Sequence, residues 1–82
     1  MNDVFLIGKL IEDVNFKFMI SKKYTAISAF NIKTVNGEKL RLVAYNTIAD
    51  FCYRKLNKND NILISGFLNS NMQVIIKNIK II

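Results

Sequence analysis

Apolar and polar residues alternate with a period of two over residues 25–34 and 39–45, which predicts two β-strands. Three further segments are apolar and rich in β-branched and aromatic residues, and they predict three more strands: residues 3–11, 61–68 and 72–82. Residues 16–18 could extend the first strand, and the polar residues 21–23 predict a turn before the second. Asn36 and Gly37 form the strongest short hairpin signal in the chain, so the second and third strands are predicted to be antiparallel neighbours.

The period changes once, after residue 45. Apolar residues then recur at helical spacing, at Ile48, Phe51, Cys52 and Leu56. This stripe predicts a helix of about three turns that ends near Asn57. Thr47 is the predicted N-cap, because Asp50 follows it three positions later. Cys52 is predicted to be a small buried residue of this helix.

The order of elements is therefore three strands, a helix and two strands. A helix between the third and fourth of five strands is the plan of the OB-fold, an all-β Greek-key barrel that commonly presents its second and third strands to oligonucleotides. Gly8 and Gly66 lie inside strands, which suits a sheet that must bend to close. An SH3-like barrel is the main structural alternative, but it usually lacks a full helix at that point. We therefore predict a single OB-fold domain over residues 1–82.

The composition narrows the classes of function. Eighty-two residues can bury one core and offer one functional surface. With no histidine and a single cysteine, the chain lacks the ligands and bases that metal sites and most catalytic sites need, so we predict neither an enzyme nor a cofactor or metal. No apolar run approaches the roughly 20 residues of a membrane span and no signal-peptide pattern begins the chain, which predicts a cytoplasmic protein without a membrane partner.

The charge points to a polyanion. Twelve basic residues against six acidic ones give a net charge of +6, and neutralisation of phosphates by Lys and Arg dominates the affinity of proteins for nucleic acids. The alternative is that the lysines only keep an apolar domain soluble, because 51% of the residues are hydrophobic. Composition leaves both interpretations open.

The third predicted strand carries the clearest candidate site. Its alternation assigns one set of residues to the core: Leu40, Leu42 and Ala44. The opposite set is basic with an aromatic end: Lys39, Arg41, Val43 and Tyr45. Asn31 and Lys33 of the neighbouring strand share this outward face, so four polar or basic groups are predicted to lie beside the ring of Tyr45. Single strands are held by stacking rings and a basic groove, although ordinary solvent-facing residues would give the same pattern.

Other residues could extend this site. Lys9, Lys17, Lys77 and Lys80 are candidates for further phosphate contacts, each with solvation as the alternative. Phe67 could stack on a base, fill an oligomer interface or join the core, and the pattern does not choose among the three. Phe5 and most of the other phenylalanines are predicted to be core residues, with Phe18 and Tyr24 the exceptions because polar turns adjoin them.

The sequence resembles bacterial single-stranded DNA-binding proteins over nearly its whole length. The residues that carry the resemblance, in the order and spacing of that family, are residues 1–10 with Asp13, residues 29–33, residues 42–45, Ile48, Ala49, Tyr53, residues 56–58 and residues 62–68. The resemblance implies that Tyr45 stands where the family has a Trp or Phe that stacks on bases, and that the chain forms dimers or tetramers. Val14 and Phe67 depart from the family's usual proline and arginine. The family's acidic C-terminal tail is missing, as in short primosomal, phage or plasmid relatives, so partner recruitment through that tail is not expected.

We therefore predict non-catalytic binding of single-stranded DNA with little sequence preference, in replication, recombination or repair. RNA is an alternative ligand, because reading of the 2′-hydroxyl depends on the geometry of the site. The apolar excess and the edges of an open barrel also favour a homodimer or homotetramer. The alternative function is an OB-fold protein-interaction module, which the short loops, the missing tail and the apolar excess would suit.

Overall fold

The computed structural model describes residues 3–20 and 24–82, which contain six strands and one helix. The predicted turn at residues 21–23 lies outside these residues. The elements in chain order are β1 (Asp3–Leu10), β2 (Asn15–Ile20), β3 (Tyr24–Thr34), β4 (Lys39–Tyr45), α1 (Asn46–Lys55), β5 (Asn61–Leu68) and β6 (Val74–Ile81). Among these residues, no helix has the length and apolar character needed to cross a membrane.

Five of the strands close into a barrel. They neighbour one another in the order β1, β5, β6, β4 and β3, and β1 pairs with β3 through residues 8–10 to complete the ring. The pairing of β4 with β6 is parallel, and the other pairings are antiparallel. With α1 between the third and fourth strands of the ring, this is the OB-fold barrel that the sequence predicts.

The chain after β1 differs from the prediction. Residues 15–20 do not continue β1 but form a separate strand, β2, which pairs with β3 from Asn15 opposite Ala29 to Ile20 opposite Tyr24. The chain bends between the two strands, so β1 meets the end of β3 while β2 meets its beginning. This division explains why β3, with 11 residues, has two partners along one edge.

The core lies inside the barrel, with α1 packed against it. The buried residues are Leu10, Phe30, Ile32, Leu42, Ala44, Ala49, Cys52, Leu56, Ile62, Ile64, Val74 and Ile76. The predicted core face of β4 is therefore confirmed, with Leu40 partly buried against the cluster. Val43 is also buried, so the prediction that it lies on the outward face with Lys39 and Arg41 is wrong. The buried hydroxyl of Ser28 donates a hydrogen bond of 2.7 Å to the Ala49 carbonyl and so ties β3 to α1. Burial also raises the pKa of the Cys52 thiol to about 12.

The start of α1 also differs from the prediction. Tyr45 is the N-cap residue, in an extended conformation and without a side-chain cap hydrogen bond, so the predicted Thr47 cap is wrong. Asn46 has a φ of 53°, a left-handed conformation that asparagine tolerates better than most residues. The chain therefore turns from strand to helix at Asn46, and Tyr45 stands at the junction of β4 and α1.

The hairpin of β5 and β6 depends on Gly66. A Cβ atom at this position would overlap the backbone carbonyl of Ile75, so only glycine allows β6 to approach this closely. The register shifts between Ser65 and Gly66, which is a local irregularity that bends the strand. The last strand begins at Val74 rather than at residue 72, because Met72 has a φ of 62° and belongs to the preceding turn.

Candidate nucleic-acid interface

Strand register aligns three lysines in one row across the outside of the barrel. Lys9 of β1 lies opposite Lys33 of β3, and Lys33 lies opposite Lys39 of β4. We call Lys9, Lys33 and Lys39 the lysine row. All three residues are exposed, and among residues 3–20 and 24–82 none forms an ion pair with a carboxylate. Directly opposed like charges repel one another, so the row favours a ligand that brings several negative charges.

The next row contains the other two polar residues predicted for this face. Asn31 and Arg41 lie opposite each other, two residues further along β3 and β4. Both donate to the carboxylate of Glu12, at 3.0 Å from Asn31 Nδ2 and 3.3 Å from Arg41 Nη1. Glu12 is not among the predicted site residues, because 19 and 29 residues separate it from Asn31 and Arg41 and no local pattern signals the contact.

Tyr45 lies at the far end of the same face. It pairs with Ile27, which pairs with Lys17 of β2, so Lys17 and Tyr45 share a row. The ring is 43% exposed. Six residues separate it from Lys39, about 20 Å along an extended strand. The prediction that four polar groups gather beside the ring is therefore wrong. Lys33, Lys39, Asn31 and Arg41 lie along a strip that ends at the ring of Tyr45, and we call these five residues the strip.

Phe67 and Lys77 flank this strip on the hairpin of β5 and β6. Phe67 faces outward and pairs with Ile75, which pairs in turn with Val43 of β4. Lys77 Nζ lies 6.0 Å from the centroid of the Phe67 ring and 3.9 Å from an Asp3 carboxylate oxygen. Because Phe67 points outward, it is not a core residue. Two of its three predicted roles remain, which are stacking on a base and filling an oligomer interface.

A shallow cavity of about 330 Å³ adjoins the lysine row. Its walls combine apolar and polar residues, namely Ile7, Gly8, Lys9, Ile11, Lys33, Thr34, Val35 and Asn61. Two ammonium groups beside an apolar depression suit a ligand that carries a flat apolar ring and a negative charge close together. A nucleotide has both.

The outer side of β1 and β5 has a different character. Phe5, Ile7 and Leu63 are 78%, 51% and 38% exposed, and we call these three residues the apolar face. The prediction that Phe5 is a core residue is wrong, because both sides of β1 are apolar and the side that contains Leu10 is the buried one. Within the described part of the chain, residues 3–7 of β1 pair with β5 only, so their other edge has no strand partner.

Solved structures share this fold. The SSB domain of a Synechococcus protein superposes with a TM-score of 0.83 and 18% identity, over 96% of this chain and 93% of that one. The single-stranded DNA-binding protein of Thermus aquaticus gives a TM-score of 0.87 and 22% identity over the whole of this chain, which spans 40% of the Thermus protein. At the level of sequence, no protein-family model and no curated protein matches.

These structures define the class of fold. The chain is an OB-fold barrel of the kind found in SSB domains, and the resemblance predicted from the sequence is confirmed in the fold. Identities of 18% and 22% establish a shared fold, and a fold alone does not determine function. The evidence for function lies in the residues of the site.

Proposed function

We propose that the chain binds single-stranded DNA, without catalysis and with little sequence preference. One observation carries the proposal: strand register aligns three exposed lysines without carboxylate partners, among the described residues, on a face that ends in the exposed ring of Tyr45. Lysines that follow phosphates and rings that stack on bases are the two elements of single-strand binding. Neither element reads base identity, so weak sequence preference follows.

The path of the strand follows from the same register. Phosphates contact the lysine row, and bases stack on Tyr45 and on Phe67 at the flank, with Lys17 and Lys77 beside these two rings. Solved proteins of this fold that are named for single-stranded DNA binding support the same ligand. Replication, recombination or repair are the processes in which such a protein would act.

A titration tests the proposal. Fluorescently labelled oligo(dT), oligo(U) and a DNA duplex of equal length are titrated with the protein at 50 and 200 mM salt. We expect oligo(dT) to bind more tightly than the duplex, and the logarithm of the binding constant to fall with the logarithm of salt by about 0.7 per phosphate contact. The lysine row alone then contributes a slope of about −2. Flat or absent binding of oligo(dT) at 50 mM salt would contradict the proposal, and tighter binding of oligo(U) would redirect it to RNA.

We infer in addition that a second copy of the chain covers the apolar face. Among the residues that the structure describes, none pairs with the outer edge of β1 at residues 3–7. Two such edges can pair about a two-fold axis, because an isologous contact uses the same patch twice. That pairing brings the exposed side chains of Phe5 and Ile7 from the two copies together. A tetramer would need a further contact beyond this one. If a different protein covered the face instead, the purified chain would stay monomeric.

A further inference from the structure

We propose that the carboxylate of Glu12 occupies a phosphate subsite between Asn31 and Arg41, and that a phosphate of the bound strand displaces it. The inference rests on the proposed function and adds a residue that opposes binding. It makes Glu12 an internal competitor of the DNA.

Two hydrogen-bond donors, the side chains of Asn31 and Arg41, form the subsite. Glu12 lies in the loop between β1 and β2 and uses its two oxygens separately, Oε1 for Asn31 Nδ2 and Oε2 for Arg41 Nη1. Because Asn31 and Arg41 are directly opposed in the ladder, their amide and guanidinium groups reach the same acceptor from two strands. A phosphate offers the same oxygen acceptors as a carboxylate and pairs well with a guanidinium fork.

The subsite lies on the path of the strand. Asn31 and Arg41 are each two residues, or about 7 Å, from Lys33 and Lys39, on the side towards Tyr45. A strand that contacts the lysine row and stacks on Tyr45 must therefore pass over the Glu12 carboxylate. A negative charge at this point repels phosphates and holds the only arginine of the strip.

The contact is weak enough to be exchanged. The side chains of Arg41 and Glu12 are 37% and 40% exposed, and ion pairs with that much solvent contribute little to stability. One contact at 3.3 Å also leaves most of the five donors of the guanidinium free to follow a phosphate. The pair can therefore open without loss of the fold.

Asp13 provides a matched control. It is the next residue in the same loop, is exposed, and forms no ion pair within the described part of the chain. Glu12→Gln and Asp13→Asn each remove one negative charge and keep the size of the side chain. We expect Glu12→Gln to bind oligo(dT) about two- to fivefold more tightly than the wild type, which is the range set by an exposed ion pair. Asp13→Asn is expected to change affinity less at 150 mM salt, where screening weakens charges without a direct contact.

A second background isolates Arg41. If Glu12 acts by occupying the subsite, the gain from Glu12→Gln shrinks to that of Asp13→Asn in an Arg41→Ala protein. Thermal unfolding of each variant checks the fold. In the wild type, the side-chain N–H resonances of Arg41 should also shift when oligo(dT) is added, a measurement that needs no variant.

The outcomes separate the two proposals. Equal or weaker binding by Glu12→Gln, beside a wild type that binds, would overturn the subsite and make Glu12 a residue that positions Arg41. An equal gain from Asp13→Asn would overturn it as well, since overall charge would then explain the effect. If neither the wild type nor Glu12→Gln binds at 50 mM salt, the proposed function and the subsite both fail. Binding by Glu12→Gln alone would support Glu12 as the occupant of the subsite but would contradict the proposed binding of DNA by the wild type.

Discussion

Ile7 and Lys9 are two residues apart on the same side of β1, yet they belong to surfaces of opposite character. Lys9 begins the lysine row, which continues over β3 and β4, whereas Ile7 joins Phe5 and Leu63 in the apolar face. An exposed lysine needs only water, but a phenylalanine that is 78% exposed beside other apolar side chains needs a partner. Pairing within the barrel fixes which residues of β1 point outward, and residue chemistry then separates a basic surface from an apolar one.

The largest expected effect is on the apolar face. Phe5→Asp should weaken self-association by about 100-fold or more, because a two-fold interface carries the change twice and each buried phenylalanine contributes roughly 1.5 to 3 kcal/mol. Sedimentation or light scattering over a range of concentrations measures the effect. Met72→Asp is the matched control, since Met72 is 72% exposed in the turn before β6. A wild type that stays monomeric at high concentration would remove the second copy from the proposal.

The lysine row gives the next largest effect. At 0.1 M salt, each phosphate contact to a single strand accounts for about 0.7 of a decade in affinity, so replacing Lys9, Lys33 and Lys39 with alanine should weaken oligo(dT) binding about 100-fold. The slope of binding against salt should fall by about 2.

Three basic residues elsewhere make the control for this prediction. Arg54, Lys55 and Lys58 are exposed and lie outside the row, and their replacement with alanine removes the same net charge. If this control protein lost as much affinity as the lysine-row variant, net charge rather than register would explain the binding. Self-association should survive in the lysine-row variant, which separates the two faces.

Much of the β3–β4 face could be predicted from the sequence. The alternation over residues 39–45 and the turn at Asn36 and Gly37 together predict that Lys39 and Arg41 share a face with Lys33 and Asn31, and the ladder confirms it. These contacts are local, because a short hairpin brings the two strands together. Periodicity and turn chemistry are sufficient for such pairs.

Contacts that depend on closure of the barrel could not be predicted. Lys9 joins the row only because β1 pairs with β3, and Glu12 reaches Arg41 across 29 residues of sequence. The outward position of Phe5 was missed for a different reason. Apolar residues occupy both sides of β1, so its alternation does not say which side is buried.

Tyr45→Ala tests the ring at the end of the strip. Stacking on an aromatic ring contributes about 1 to 3 kcal/mol per base, so oligo(dT) binding should weaken by roughly five- to 100-fold while self-association is unchanged. Tyr45→Phe should retain most of the affinity, because stacking needs the ring and not the hydroxyl. Tyr53→Ala is the control for an exposed tyrosine on α1, where the ring stacks on Phe16 with the centroids 4.5 Å apart. Thermal unfolding checks that both alanine variants keep the fold. An equal loss in both alanine variants would argue against a specific stacking site.

The same measurements applied to Phe67 sharpen the border between the two surfaces. Phe67→Ala should weaken oligo(dT) binding by less than Tyr45→Ala does, because the ammonium group of Lys77 already lies 6.0 Å from the centroid of the ring and competes with a base. A change in self-association without a change in DNA binding would assign Phe67 to the protein interface instead.

The smallest effect concerns the core that both surfaces share. The pKa of the Cys52 thiol is raised by burial from 9.0 to about 12, so the folded protein keeps a proton that the unfolded chain releases above pH 9. This contribution to stability is complete below pH 9 and is lost as the pH rises from 9 towards 12, with a loss on the order of 1 kcal/mol at pH 10. Denaturant unfolding at pH 8 and pH 10 should show this loss in the wild type beyond any loss in Cys52→Ala, which carries the same lysines and tyrosines. Equal pH dependence of the wild type and Cys52→Ala would mean that the thiol reaches solvent.

The core also links the two surfaces. If the barrel is one cooperative unit, DNA binding and self-association will disappear in the same unfolding transition.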